Sequence, residues 1–306
     1  MECDDLKDLP SPTPIQCAIP NGIFGDFVMV LEFFLGFGEE LQLKDAFPGG
    51  LTFELLERAV VENEVSGPLS DILQILLSSL FEFQDAESEE VKEAGYTTSG
   101  VQETEGAEGG LTYQGTPLKK LSMDSLTVSE ILRLHLISSG GGSSELRTRW
   151  RYQQRGGYSS ADDPGVQLRQ EDPHILHALA HSTVYELPIG DKMKIIKCLC
   201  HQILTYASIR DVLEEKSSKL THLRQELRAL HANERRMRKE DINNRAKLLS
   251  EENGNTEDGP ELDKLLQETA KRKGEVLKKE QQLHQQILKM QAMTHLTPIG
   301  LDRAFR

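Results

Sequence analysis

In "SGPLSDILQILLSSLFEF", Leu69, Ile72, Leu73, Leu76, Leu80 and Phe81 recur at i, i+3, i+4 and i+7. This is the period of one face of an α-helix. It constrains the chain more than any other feature, because the same spacing returns in the other apolar stretches. In "IFGDFVMVLEFFLGFGEEL" it is carried by Phe27, Val30, Leu31, Phe34 and Leu35, with Asp26 as N-cap and Gly36 and Gly38 as terminators. Apolar residues wrap most of that helix, which predicts burial among other helices. In "DAFPGGLTFELLERAVV" a Pro-Gly-Gly turn precedes Thr52 as N-cap, with Phe53, Leu55, Leu56 and Val60 inside; Pro68 suits the first position of the next helix. Residues 22–84 therefore read as a three-helix unit behind an extended lead-in, residues 1–21.

Large hydrophobes then become scarce. "QDAESEEVKEAGYTTSGVQETEGAEGG" cannot bury enough surface to offset its ordering entropy, so residues 85–116 are expected to be a disordered acidic linker. Charge divides the chain at the same place. Residues 1–110 hold 23 acidic and 4 basic residues, against 26 acidic and 31 basic in 111–306. An anionic partner therefore belongs to the second part.

Helical signals resume in residues 117–215. Thr127 and Glu130 form a Thr-x-x-Glu capping box ahead of Ile131, Leu132, Leu134 and Leu136. Asp163-Pro164 and Asp172-Pro173 each read as an N-cap followed by Pro at the first helical position. "LPIGDKMKIIKCLCHQILTYASIRDVLEE" places Met193, Ile196, Leu199, Cys200, Ile203, Leu204 and Ala207 on one broad face. In residues 216–293, Leu220 and Leu227 continue a seven-residue spacing from Leu213, and Leu223 and Leu230 repeat it. "SEENGNTEDGPELD" interrupts the pattern, and a second polar helix follows. The two pair as a charged helical hairpin or coiled coil, or stand as solvated helices.

Motifs for catalysis are sparse. No Gly-x-x-x-x-Gly-Lys-Ser/Thr loop, His-Glu-x-x-His or Gly-x-Ser-x-Gly occurs. His174, His177 and His181 share one helical face, but the pattern supplies no further metal ligand. Cys198 and Cys200 point to different sides of their helix and read as buried small hydrophobes. The expectation is a non-enzyme without cofactor or metal, with no signal peptide, no membrane span and no small-molecule substrate. One constellation suits nucleic acid. In "RTRWRYQQRGGY", Arg147, Arg149, Arg151 and Arg155 interleave with Trp150, Tyr152 and Tyr158. Guanidiniums neutralise phosphates while rings stack on bases. Trp150, the single Trp, can equally plug a core beneath Arg stems. "KRKGEVLKK" reads as a solvated basic face.

Several of these stretches resemble one family. "IPNGIFGDFVMVLEFFLGFGEEL", "FPGGLTFELLERAV" and "GPLSDILQILLSSLF" resemble the DDT domain of the large accessory subunits of ISWI-class chromatin remodelers, most closely the Acf type (bromodomain adjacent to zinc finger) of the ACF and CHRAC complexes. "LTVSEILRLHL" is similar to the first WHIM motif, "LPIGDKMKIIKCLCHQILT" to the second, and "LTPIGLDRAFR", residues 294–306 with their approach, to the start of the third. The resemblance implies an all-α module of DDT and WHIM units with a long hairpin, nuclear in location. It implies docking on the SLIDE region of an ISWI-type ATPase and on nucleosomal linker DNA, with histone-fold subunits as further partners. It implies that Gly300 and Asp302 touch the ATPase, that Thr297 and Ile299 lie near DNA, and that Arg133 packs between motifs. From the residues alone, Asp302 can simply cap a helix. The family's third motif runs on past Arg306, so the resemblance implies a truncated form. The competing readings are a direct DNA-binding regulator and a coiled-coil scaffold acting without a motor.

Overall fold

The structure is a computed structural model, which describes residues 14–93, 112–113, 116–140, 162–251 and 259–294. It is all-α apart from a two-residue antiparallel ladder, Thr112–Tyr113 with Thr116–Pro117. The contacts divide the chain into two units, Met1–Ala207 and Ser208–Arg306.

The first unit begins with α1 (Asn21–Phe37), α2 (Phe53–Val61) and α3 (Pro68–Glu93). The side chain of Thr52 accepts the Leu55 N–H at 3.3 Å, and Pro68 opens α3, as their types dictate. Asp26 is not a cap. The helix starts five residues earlier, after Pro20, and the Asp26 carboxylate lies 2.7 Å from Lys197 Nζ. Phe27, Val30, Phe33, Phe34 and Phe37 are buried, with Phe27 edge-on to Phe53 at 4.9 Å. Leu35 faces solvent, at 56% exposure.

The linker reading fails at its start. α3 continues through Glu93, and Glu87 and Val91 on it are buried. A 3-10 turn, Leu118–Lys120, pairs Lys119 with Asp85 at 2.6 Å, so chain from beyond the acidic stretch reaches the helix that composition alone leaves solvated. The rest of that stretch, 94–111, lies outside the described residues.

Four further α-helices of the unit lie among the described residues: α4 (Val128–Ser138), α5 (Pro164–Glu171), α6 (Pro173–Leu179) and α7 (Ile189–Leu204). The capping box ahead of α4 does not form. The Thr127 hydroxyl donates to the Ser122 carbonyl at 2.9 Å, Asp124 takes the Thr127 and Leu126 N–H groups, and Glu130 turns to Arg133. Asp163 does cap α5, accepting the Gly165 N–H at 2.7 Å. Asp172 makes no side-chain cap on α6; its carboxylate is 2.6 Å from Lys194 Nζ. α7 packs on α1, α2, α3 and α5 at once, and α4 packs on α3, α5 and α6. Nine of the 16 residues of α7 are buried, far more than one face.

The second unit contains most of α8 (Ala207–Glu251) and all of α9 (Gly259–Thr294). His231 Nε2 lies 2.9 Å from Glu280 Oε1, and Arg272 pairs with Asp241. Advancing along α8 thus retreats along α9, and the arms form an antiparallel hairpin. Leu220 on one arm and Leu283 and Ile287 on the other are buried, while Leu213, Leu223, Leu227 and Leu230 of the seven-residue pattern are only half-buried.

Candidate functional site

Among the described residues, nothing resembles a reaction centre. The candidate site is the seam where α4, α5 and α7 are tied to each other and to α1–α3. Its parts are polar side chains that apolar packing would normally reject and that survive burial because each finds a partner.

The deepest group is Lys192, 1% exposed. Its Nζ donates to the carbonyl of Glu62 at 3.2 Å and to Asn63 Oδ1 at 2.9 Å. Glu62 is the C-cap of α2, so an amine carried by α7 satisfies the carbonyl end of a helix more than a hundred residues away. Burial pulls the Lys192 pKa down from its ordinary value. One turn further on, Lys197 meets Asp26 on α1. The hydroxyl of Tyr185, buried ahead of α7, donates to the Ser125 carbonyl at 2.7 Å, and desolvation holds its pKa up.

Gln202 organises the other side of α7. Its Nε2 donates to Asp163 Oδ1 at 2.9 Å and to Ser139 Oγ at 3.0 Å. That leaves Oε1 facing His135 Nε2 at 2.9 Å, so His135 donates from Nε2. His135 is buried edge-on to Phe81 of α3 at 5.7 Å, and desolvation lowers its pKa. Gly165 closes the group. A Cβ there would lie 2.4 Å from Ser139 Oγ and 2.8 Å from Gln202 Nε2, so only glycine fits. Arg169 of α5 donates to the Ser139 carbonyl at 2.6 Å and to that of Ile137, satisfying the end of α4.

The two thiols of α7, Cys198 and Cys200, are buried. Burial, with the negative charge of Asp163, pushes Cys198 up to about 12, and burial raises Cys200 further from its ordinary value. His174 lies 3.1 Å from Asp191, and His181 falls beyond the end of α6. No group of three His, Cys, Asp or Glu residues is arranged to hold a metal among the described residues. Nor is any helix there long and apolar enough to cross a membrane.

Of the residues singled out in the sequence, Arg133 is described: its guanidinium is bound two-fold by Glu130 on its own helix, at 2.7 Å. Arg147, Arg149, Trp150, Arg151, Arg155, Thr297, Ile299, Gly300 and Asp302 lie outside the described residues. The sequence reading missed Lys192, His135 and Gln202. The available signal was a polar residue at core spacing inside an apolar helix, and it does not distinguish a buried tie from a surface position.

Two family models match the chain. One, the DDT domain, matches residues 23–82, which are α1, α2 and most of α3. The other, WHIM1, motif 1 of the group that includes WSTF, Itc1p and MBD9, matches residues 169–214, from the end of α5 through α7 into α8. The first-motif match thus falls on the stretch compared above with the second motif, and not on residues 126–136. The chain is 39% identical over 272 residues to bromodomain adjacent to zinc finger domain protein 1A of Homo sapiens, and 38% identical over 273 residues to that of Mus musculus. Each alignment covers 82% of this chain and 18% of the relative. Similarity to tyrosine-protein kinase BAZ1B of Xenopus laevis is 26% over 212 residues, 69% of this chain and 13% of that protein. No solved structure matches the chain significantly.

Proposed function

The chain belongs with the DDT- and WHIM-bearing proteins of the bromodomain-adjacent-to-zinc-finger type, and on that premise we propose that it is a non-catalytic docking module of a nuclear chromatin-remodeling complex. Its partner in this reading is an ISWI-type ATPase, engaged through the SLIDE region. Nucleosomal linker DNA is the second contact, and nucleosome spacing and transcription regulation are the outcome. The observation that carries the reading is the burial of α7, the centre of the WHIM1 match, among α1–α3 of the DDT match. Two matches that share one core make one rigid surface, which suits a role in holding a motor. Gly300 and Asp302 supply the ATPase contact, and Thr297, Ile299 and the Arg147–Arg155 segment supply contacts to DNA. The motor hydrolyses ATP, since the sequence has no phosphate-binding loop. The kinase in the name of the 1B relatives belongs to those proteins.

The test is capture of a purified ISWI-type ATPase carrying its HAND-SANT-SLIDE region, without DNA, at low and high salt. Docking through apolar helices keeps the ATPase at both salts, and Asp302→Ala weakens capture while the melting temperature stays unchanged. No capture at either salt overturns the motor reading. Equal capture by parent and Asp302→Ala returns Asp302 to a capping role.

A further inference from the structure

The hairpin changes character along its length. Near Leu220, Leu283 and Ile287 its seam is dry. From His231–Glu280 outward, toward the α8–α9 connection, the seam is ionic, and the surface around it is crowded with cations. Arg235, Lys239 and Arg245 on α8, and Lys271, Lys273, Lys278 and Lys279 on α9, are exposed and have no hydrogen-bond or ion-pair partner among the described residues. The acids at this level are mostly occupied. Glu234 is held by Arg238, Glu240 lies 3.8 Å from Arg236, Asp241 pairs with Arg272 and Glu280 with His231, while Glu268 and Glu275 have no partner among the described residues. Seven unneutralised cations on a narrow rod repel one another, and nothing in the packing of the hairpin requires them.

We propose that this outer half of the hairpin is a binding surface for the phosphate backbone of duplex DNA. It deepens the reading above, on which it rests for the choice of DNA as the polyanion. The charges from Arg235 to Arg245 extend over about 15 Å of helix axis at 1.5 Å per residue. A duplex presents one phosphate charge per about 1.7 Å, so a rod carrying cations over this length meets several phosphates. A small anion would need convergent donors in a pocket, and these are spread along two arms. Single strands are bound by stacking on aromatic rings, and residues 208–294 contain no Phe, Tyr or Trp. The same lack, with exposed Ile242, Leu266 and Leu277 set far apart, argues against a lipid surface. Contacts of this kind carry affinity without sequence preference.

The experiment uses the full chain and a labelled duplex longer than the hairpin, with anisotropy read between about 50 and 200 mM salt. The quadruple variant K271Q/K273Q/K278Q/K279Q is compared with K219Q/R224Q/R228Q/K289Q, which removes four cations from the inner half. The outer variant is expected to bind about tenfold or more weakly, with the salt slope shallower by about 0.9 for each phosphate no longer neutralised, and the inner variant to stay within about twofold of the parent. Equal weakening in both variants, or none in the outer one, overturns the proposal, provided that circular dichroism shows unchanged helicity. Tighter outer-half-dependent binding to phosphatidylserine vesicles than to duplex also overturns it. The ATPase capture is run on the same proteins. Loss of duplex binding with ATPase retained supports both readings. Outer-half-specific duplex binding without any ATPase capture keeps this surface and removes the motor.

Discussion

α7 and the α8–α9 hairpin are both helical, but they are helical for different reasons. In α7 nine of 16 residues are buried, and the helix exists because α1, α2, α3 and α5 close around it. In α8, 45 residues long, Leu220 is the one buried side chain between residues 211 and 247. Much of its support is local: Glu215 with Lys219 and Glu234 with Arg238 are i,i+4 pairs, worth about 0.2–0.5 kcal/mol each. One helix is a product of tertiary packing and the other of its own sequence. The first should be sensitive to volume and indifferent to salt, and the second the reverse.

The same truncation in both regions gives the largest contrast. Ile196→Ala in α7 is expected to cost about 2–5 kcal/mol, while Leu277→Ala, at an exposed position on α9, stays within about 0.5 kcal/mol. Urea midpoints at equal m-value check this, and comparable losses would erase the distinction. Gly165→Ala comes next. It pushes a methyl against Ser139 and Gln202 and is expected to destabilise the first unit by about 1–3 kcal/mol, seen in its melting temperature.

Acidification separates the regions further. Burial lowers the pKa of His135, and that of the half-buried His201, so below the ordinary histidine value of about 6.5 the unfolded chain binds more protons than the native one. The first unit therefore loses stability as pH falls from that value toward the depressed ones. His135→Gln should flatten part of that dependence in melts taken across the range, and an unchanged slope would mean that His135 is not its source. The smallest effect is Arg272→Gln in the hairpin, below about 1 kcal/mol and vanishing in high salt, followed by helicity.

What could be read in advance follows the same division. Thr52, Pro68 and Asp163-Pro164 marked helix starts correctly because capping is decided within a few residues. Asp26 and Thr127 have the right chemistry for caps but do not act as caps: one carboxylate goes to Lys197, 171 positions away, and one hydroxyl goes to the Ser122 carbonyl. The tail of α3 reads as solvated until Lys119 arrives from beyond the acidic stretch. Lys192 is the extreme case, since its buried role depends on where α2 ends. The all-α class was legible because periodicity is a local property, whereas the pairing of the two long helices stood open against two solvated helices. The ties that make the first unit one body were not, because each joins segments distant in the chain.

The two ionic pairs in the hairpin seam have a mechanical consequence. Polar partners at a helix–helix seam favour one register, and sliding one arm past the other would break His231–Glu280 and Asp241–Arg272 together. The hairpin is therefore a strut whose length is counted in residues: about 68 Å for the 45 residues of α8. Removing one heptad from each arm would keep the seam in phase and shorten it by about 10 Å. Removing residues from one arm alone would put the seam out of phase, so reach can be altered in steps, and only by changing both arms together.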